Sequence, residues 1–347
     1  MSTAFEFANT KFESSVGERT SPTNDADGAA LPGTGRKVLI IVENLPVPFD
    51  RRVWEEATAL REAGYGVSVI CPKGKGFDKS FEVIDGINIY RHILFEASST
   101  VGYLGEYLWA LTCEFWLSFK VLRKHGFDIV HACNPPDLIF LVGGFFKLFF
   151  RKRFLFDHHD INPELYVAKF GRRDIFHWLL SLFERATFAT ADVSLATNEP
   201  FKQIAMQRGK MRDEDVFIVR STPNLERMYR VEPDQALFNG RKHVIGYIGI
   251  MGSQDGIDLL LEAMRHMVFD RKITDAQCVI VGDGPEFDNL TTMSRELGLE
   301  DYVTFTGFLG GDKLLAALSS FTVGVIPDPA NDYNRKISMN KNFEYMA

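Results

Sequence analysis

Short β-branched runs recur along this chain at intervals filled by longer helix-periodic segments, and that alternation constrains the fold more than any single motif. From Arg36 onward the runs are VLIIV (Val38–Val42), VSVIC (Val67–Cys71), INIY (Ile87–Tyr90), FDIVH (Phe127–His131), RFLFD (Arg153–Asp157), DVSLA (Asp192–Ala196) and VFIV (Val216–Val219). Such a rhythm demands parallel strands with helices on both faces. A polar, proline-containing stretch over residues 221–240 interrupts it, after which VIGYIG, CVIVG, YVTFTG and TVGVIP restart the pattern. The expectation is an α/β protein of two Rossmann-like domains, residues 36–220 and 241–347, joined by a linker at 221–240. Residues 1–35, polar and without an apolar core, are expected to form a disordered tail.

The 347 residues suit two domains, since domains of about 100–200 residues are the rule. Hydrophobic residues at 46% and charged residues at 24% are the balance of a globular protein. A net charge of -7 argues against nucleic acid as the main partner. The four cysteines, Cys71, Cys113, Cys133 and Cys278, lie far apart with no C-x-x-C pair, so reduced thiols in a cytoplasmic protein are expected. No stretch reaches the roughly 18 apolar residues of a membrane span.

Helix punctuation locates the functional edge. Asp50 is placed to cap a helix whose apolar stripe is Val53, Ala57 and Leu60, with Gly64 as its left-handed stop. That helix begins just outside the carboxyl end of the first strand, where open parallel sheets bind ligands. Arg51 and Arg52 fall in its first turn, where the dipole disfavours cations by about 0.3–1 kcal/mol. A phosphate or acceptor contact would offset that cost, and an exposed arginine near Glu55 is the plainer reading. In the second domain Gly249 and Gly252 follow a strand, and Gly282, Gly284 and Pro285 repeat the arrangement one unit later. Glycines there let backbone N–H groups approach an anion, although tight-turn packing requires them equally. The third glycine of G-x-G-x-x-G is missing, which disfavours a dehydrogenase.

The stretch FDHHDINPELY gathers Asp157, His158, His159, Asp160 and Glu164 at a strand end. A metal site, a general-base pair and loop-stabilising hydrogen bonds are all open readings; adjacent residues on an extended segment point opposite ways, which counts against a metal. The D-x-D triplets, Asp25-Ala-Asp27 and Asp213-Glu-Asp215, lie in the wrong context for metal chemistry. Two aromatic stretches, residues 103–122 and 138–150, read as core helices or as a peripheral attachment to an anionic membrane surface. The last residues, NKNFEYMA, open a helix with Lys341 and Glu344 on one face.

The ordered series GYIG, DLLLEA, VIVGDGPE, LGLEDYVTFTGF, VGVIP and NKNFEYMA resembles the donor-binding domain of GT-B glycosyltransferases, family 4 in particular. VENLPVPFDRRVWEEATALREAGYGVSVICP, DIVHACNPPD and FDHHDINPELY resemble the acceptor domain of bacterial members that build surface polysaccharide and O-antigen. The resemblance implies two domains facing a cleft and a retaining transfer from a nucleoside diphosphate sugar to a lipid-linked or saccharide acceptor, with no obligatory cofactor or divalent ion. It assigns Glu344 to the second glutamate of the E-x7-E signature, on the donor ribose, and places the catalytic pair His159 and Asp160 near the sugar and acceptor. It makes Gly249, Gly252, Gly282 and Gly284 donor-binding. Two positions depart: Lys336 stands where the first glutamate belongs, and Asp255-Gly256 replaces a usual Lys-Gly pair, leaving Lys341 to neutralise the diphosphate. The family continues past EYMA with a Gly-x-Pro turn, a strand and returning helices, so the chain resembles a C-terminally truncated member. A sugar-nucleotide epimerase and a non-catalytic binding protein are the alternatives.

Overall fold

A computed structural model describes residues 34–347 except 75, 94–99, 224 and 226–227. All but the last two positions of the expected tail lie outside the described residues. In chain order the strands and helices are β1 (Lys37–Ile41), α1 (Arg51–Glu62), β2 (Gly66–Pro72), β3 (Phe81–Ile84), β4 (Ile87–His92), α2 (Thr100–Lys124), β5 (Ile129–Cys133), α3 (Phe140–Phe150), β6 (Arg153–His158), α4 (Asn162–Phe170), α5 (Ile175–Thr190), β7 (Val193–Ala196), α6 (Glu199–Gln207) and β8 (Val216–Ile218). They continue with β9 (His243–Ile248), α7 (Ile257–Arg265), β10 (Ala276–Val281), α8 (Phe287–Glu296), β11 (Val303–Gly307), α9 (Gly311–Ser320), β12 (Val323–Gly324) and α10 (Asn340–Met346).

The strands form two sheets among the described residues, ordered β3-β4-β2-β1-β5-β6-β7-β8 and β11-β10-β9-β12. All pairings are parallel except β3 with β4. Each sheet runs one way from its first strand and then reverses, at β1/β5 in the first and β9/β12 in the second. The crevice outside the carboxyl ends at such a reversal is where doubly wound sheets bind ligands.

The first sheet has a dry centre because β1 is apolar on both faces: Leu39, Ile40 and Ile41 are fully buried, each stabilising the fold by about 1.5–3 kcal/mol. Helix α1 forms as its sequence demands. Asp50 accepts from the Val53 N–H at 3.1 Å, Val53 and Ala57 are buried, Leu60 packs against the same cluster, and Gly64 takes a left-handed φ of 83°. In the second sheet, Tyr247, Cys278 and Ile280 meet Leu261 and Met264 of α7 in one core.

Chain contacts divide the molecule into two units, residues 1–163 with 173–219, and residues 164–172 with 220–347. Residues 164–172 thus belong to the second unit, whereas the sequence reading runs the first domain continuously over 36–220. The segment 221–240 also falls in the second unit, and the Val231 and Asp234 N–H groups donate to Ser319 and Ser320 of α9. Strand β3 was not expected from the sequence; it is a half-exposed hairpin partner of β4 around Asp85-Gly86, with only FEVI to announce it. TVGVIP yields just two paired residues, Val323 and Gly324. Pro285 precedes α8 instead of entering its first turn.

Helices α2 and α3 share an aromatic seam. Phe115 and Phe119 contact Phe145, Phe146 and Phe150 at centroid distances of 4.7–6.0 Å. Their far sides stay outside the core, with Trp116 67%, Leu148 74% and Phe149 65% exposed.

Candidate functional site

At the reversal of the first sheet, β5 and β6 end side by side with Cys133 opposite Asp157. His131, two residues before Cys133, shares its face. From α1, Arg52 in the first turn and Glu56 one turn later enter the same space. Arg52 Nη2 lies 2.8 Å from Asp157 Oδ1 and 3.1 Å from Glu56 Oε1, and Nη1 donates to the Val219 carbonyl at 2.9 Å. On its other oxygen, Asp157 meets His159 Nε2 at 2.7 Å and His131 Nε2 at 3.3 Å. His159 Nε2 is also 2.9 Å from Arg52 Nε. One ring nitrogen can donate to the carboxylate or accept from the guanidinium, not both at once, so the tautomer of His159 selects between them.

Burial opposes ionisation throughout, and charge decides the outcome. For Asp157, His159, His131 and Arg52 outweigh burial and hold the carboxyl well below its usual range. Burial disfavours the Arg52 cation, but Asp157 and Glu56 raise its pKa nonetheless. Glu56 is pushed well up by burial and by Asp157, and burial pushes the Cys133 thiol well up. The site therefore holds a fixed carboxylate–guanidinium pair beside two acids that favour their neutral forms.

The loop carrying His159 and Asp160 is clamped by a buried amide. Asn134 Oδ1 accepts from the His159 and Asp160 N–H groups at 2.7 and 3.3 Å, and its Nδ2 donates to the Asp160 carbonyl at 2.7 Å and to Asp137 Oδ1 at 3.0 Å. His158 points the other way, as alternation requires, into Phe156, Phe188 and Phe201 beside Glu184. Glu164 lies in the second unit, where it accepts from Lys336 at 2.8 Å.

In the second unit the loops after β9 and β10 are laced together. The Gly249 N–H donates to the Val281 carbonyl at 3.0 Å and the Gly282 N–H to the Gly307 carbonyl at 2.9 Å. The other two glycine N–H groups meet carboxylates, Gly252 to Asp255 at 2.8 Å and Gly284 to Asp283 at 2.7 Å. A Cβ on Gly282 would collide with the Gly249 carbonyl, and one on Gly284 with the Met251 backbone. Close packing of the two loops thus accounts for these glycines, and an incoming anion would have to replace a carboxylate to reach Gly252 or Gly284.

Lys341 supplies the cation at this edge. Its Nζ lies 4.5 Å above the Tyr247 ring, 3.3 Å from the Tyr247 hydroxyl and 3.7 Å from Asp328. Burial raises the pKa of both Asp255 and Asp328, and Lys341 pulls each back. Glu344 shares α10 with Lys341, half-buried. The helix is fixed by Tyr345, whose hydroxyl accepts from the Ile248 N–H at 3.0 Å and donates to the Val325 carbonyl at 3.2 Å.

The structure therefore brings Arg52 and His159 together in one network and sets Lys341 over the Gly249 loop. Arg51, expected beside Arg52 as a phosphate or acceptor contact, sits exposed in the same first turn of α1. Sequence reasoning missed Glu56, His131, Cys133 and Asn134 as members of the first site and Tyr345 as the anchor of the second. The first four lie inside quoted motifs, but only the β5/β6 register reveals that they converge. Of the D-x-D triplets, Asp213-Glu-Asp215 is tied to Lys202 and Arg212, and Asp25-Ala-Asp27 lies outside the described residues.

Residues 50–227 match the model of Glycosyltransferase Family 4, and residues 242–347 match Glycosyl transferases group 1. A GDP-mannose-dependent alpha-mannosyltransferase of Corynebacterium glutamicum is 33% identical over 222 residues, covering 60% of this chain and 47% of the relative. The chain thus spans about half the length of that curated relative. Sucrose-phosphate synthase from Thermosynechococcus elongatus superposes with a TM-score of 0.68 at 19% identity, over 84% of this chain and 75% of that one. HepE of Anabaena, solved with UDP and glucose, superposes with a TM-score of 0.60 at 14% identity, over 86% of this chain and 76% of that one. At such identities the likeness to the solved structures speaks for the fold, which is GT-B.

Proposed function

The chain belongs to glycosyltransferase family 4, and from that premise we propose that it moves a sugar, with retention of anomeric configuration, from a nucleoside diphosphate sugar to a lipid-linked or saccharide acceptor in surface polysaccharide synthesis. The observation that carries this reading is Lys341, a cation held by Tyr247 and Asp328 at the loop edge of β9. A departing diphosphate gains charge as the glycosidic bond breaks, and a prepositioned ammonium stabilises that charge more in the transition state than in the ground state. Glu344, on the same helix, offers a carboxylate that accepts two hydrogen bonds from the ribose diol. The donor diphosphate displaces Asp255 from the Gly252 N–H, an exchange of one anion for another. In the first unit, Asp157 and Asn134 orient His159 and Asp160 toward the reacting sugar and its acceptor.

The donor class is supported by the mannosyltransferase relative, named for GDP-mannose, and by HepE, solved with UDP. A lipid-linked acceptor accords with the exposed Trp116, Leu148 and Phe149 and with Arg151 and Lys152, which follow α3 directly, because apolar insertion and basic residues act together on anionic lipid. One observation favours a non-catalytic reading instead: all four loop glycines already have partners, and Lys336 is paired with Glu164. Calorimetric titration with UDP- and GDP-sugars separates the two. Transfer predicts binding of at least one donor, weakened tenfold or more by Glu344→Ala, which is about 1.4 kcal/mol. No affinity for any nucleotide would favour the non-catalytic reading.

A further inference from the structure

The transferase reading gives Asp157 the task of holding His159 and leaves its neighbours Glu56, His131 and Cys133 without one. Glu56, His131, Cys133 and Asp157 each offer one ligand atom, and those atoms all lie within 4.8 Å of one another. Their separations have a meaning. Ligand atoms held 2.0–2.3 Å from a tetrahedral zinc ion stand about 3.3–3.8 Å apart along the edges of the tetrahedron. Here His131 Nε2 is 3.3 Å from Asp157 Oδ2 and 3.5 Å from Glu56 Oε2, and Cys133 Sγ is 3.9 Å from Asp157 Oδ2.

The oxygens divide between two tasks. Arg52 holds Asp157 Oδ1 and Glu56 Oε1, the outer atoms, while Oδ2 and Oε2 face His131. Both carboxylate oxygens of Glu56 are shielded from solvent; Oε1 faces the Arg52 guanidinium at 3.1 Å, whereas Oε2 lacks a hydrogen bond, with His131 Nε2 at 3.5 Å, and a buried acceptor left so costs free energy until a cation or donor arrives. Formal charge closes as well: two carboxylates, one thiolate, one guanidinium and one dication sum to zero. The route in lies along Glu56, Arg52 and His159, whose side chains remain 13%, 11% and 16% exposed.

We propose that Glu56, His131, Cys133 and Asp157 form a four-coordinate binding site for a borderline-soft first-row dication, zinc foremost. One imidazole, one thiolate and two carboxylate oxygens suit Zn2+ or Co2+ and disfavour Mg2+ and Ca2+, which take oxygen ligands in larger number. The ion takes Asp157 Oδ2 away from His159, so His159 turns to Arg52 or joins as a fifth ligand. On the transferase reading this makes the ion an inhibitor; the binding claim stands without that reading.

The test is a Co2+ titration of the purified, metal-free full chain, followed by displacement with Zn2+. One equivalent of Co2+ should produce the intense visible bands of a tetrahedral ion and a thiolate-to-cobalt charge-transfer band in the near ultraviolet, both erased by one equivalent of Zn2+. Cys133→Ser should abolish the charge-transfer band, and Glu56→Gln should weaken Co2+ binding tenfold or more while keeping it. The weak spectrum of octahedral Co2+, or a charge-transfer band that survives Cys133→Ser, overturns the site. Should Cys133→Ser fail to fold, Glu56→Gln decides alone, and unchanged affinity in that variant sinks the proposal.

Discussion

Asp137 and Asp157 are both buried carboxyls of the first unit, yet their neighbours drive them in opposite directions. Asp157 faces Arg52, His131 and His159 and stays charged. Burial pushes Asp137 up to about 6, with Glu184 adding to the rise while the Asn162 and Asn134 amides and His158 resist it. A carboxyl whose folded pKa exceeds its unfolded value of about 3.9 binds more protons folded than unfolded between those values. Stability from that group is therefore present below pH 4 and is lost as pH rises toward 6. Two pKa units amount to about 3 kcal/mol. Urea unfolding at pH 4.5 and pH 7 should show this loss in the wild-type chain and a shallower one in Asp137→Asn; equal losses in both would place the effect on another group. At this scale the sequence was legible where a residue's role is local. Asp50 caps α1 because a cap needs only its own helix, whereas Arg52, expected at a phosphate or acceptor or else exposed near Glu55, turns inward to Asp157 and Val219, partners more than a hundred residues away.

Elements were easier to read than their joints. Ten of the twelve strands among the described residues coincide closely with β-branched runs because burial on both faces of a parallel sheet leaves a continuous apolar signature; the exceptions are β3, half-exposed on an edge, and β12, where pairing stops after two residues. Helix α10 shows what the pattern could not reveal. Its seven residues are too few to be stable alone, and the Tyr345 hydroxyl bridges the end of β9 to the segment after β12. Tyr345→Phe leaves the Ile248 N–H and the Val325 carbonyl without that partner, a loss of about 1–3 kcal/mol. Hydrogen exchange should quicken across residues 340–347 and at Ile248, while β10 and β11 keep their protection. Uniform protection in the variant would show that packing against Phe321 and Gly324 suffices to seat the helix.

For the molecule as a whole, net charge misleads. The chain carries -7, but Lys120, Arg123 and Lys124 of α2 and Arg151 and Lys152 just after α3 accompany the exposed Trp116, Leu148 and Phe149. No described helix is long and apolar enough to cross a membrane; the contact to test is a peripheral one. Cosedimentation with vesicles containing anionic lipid should be strong at 0.1 M salt, decline at about 0.5 M as the Debye length shortens, and fall severalfold in a Trp116→Ala, Phe149→Ala double variant. Binding that ignores both changes would discount this face. A different consequence follows from the way residues 164–172 leave the half of the chain that surrounds them in sequence. Anyone exchanging halves between two relatives would cut near residue 220, and the resulting hybrid would inherit Lys336 from one parent and Glu164 from the other. Neither half is heritable as a contiguous block: a faithful chimera must carry the short internal stretch along with the C-terminal portion, through two extra junctions.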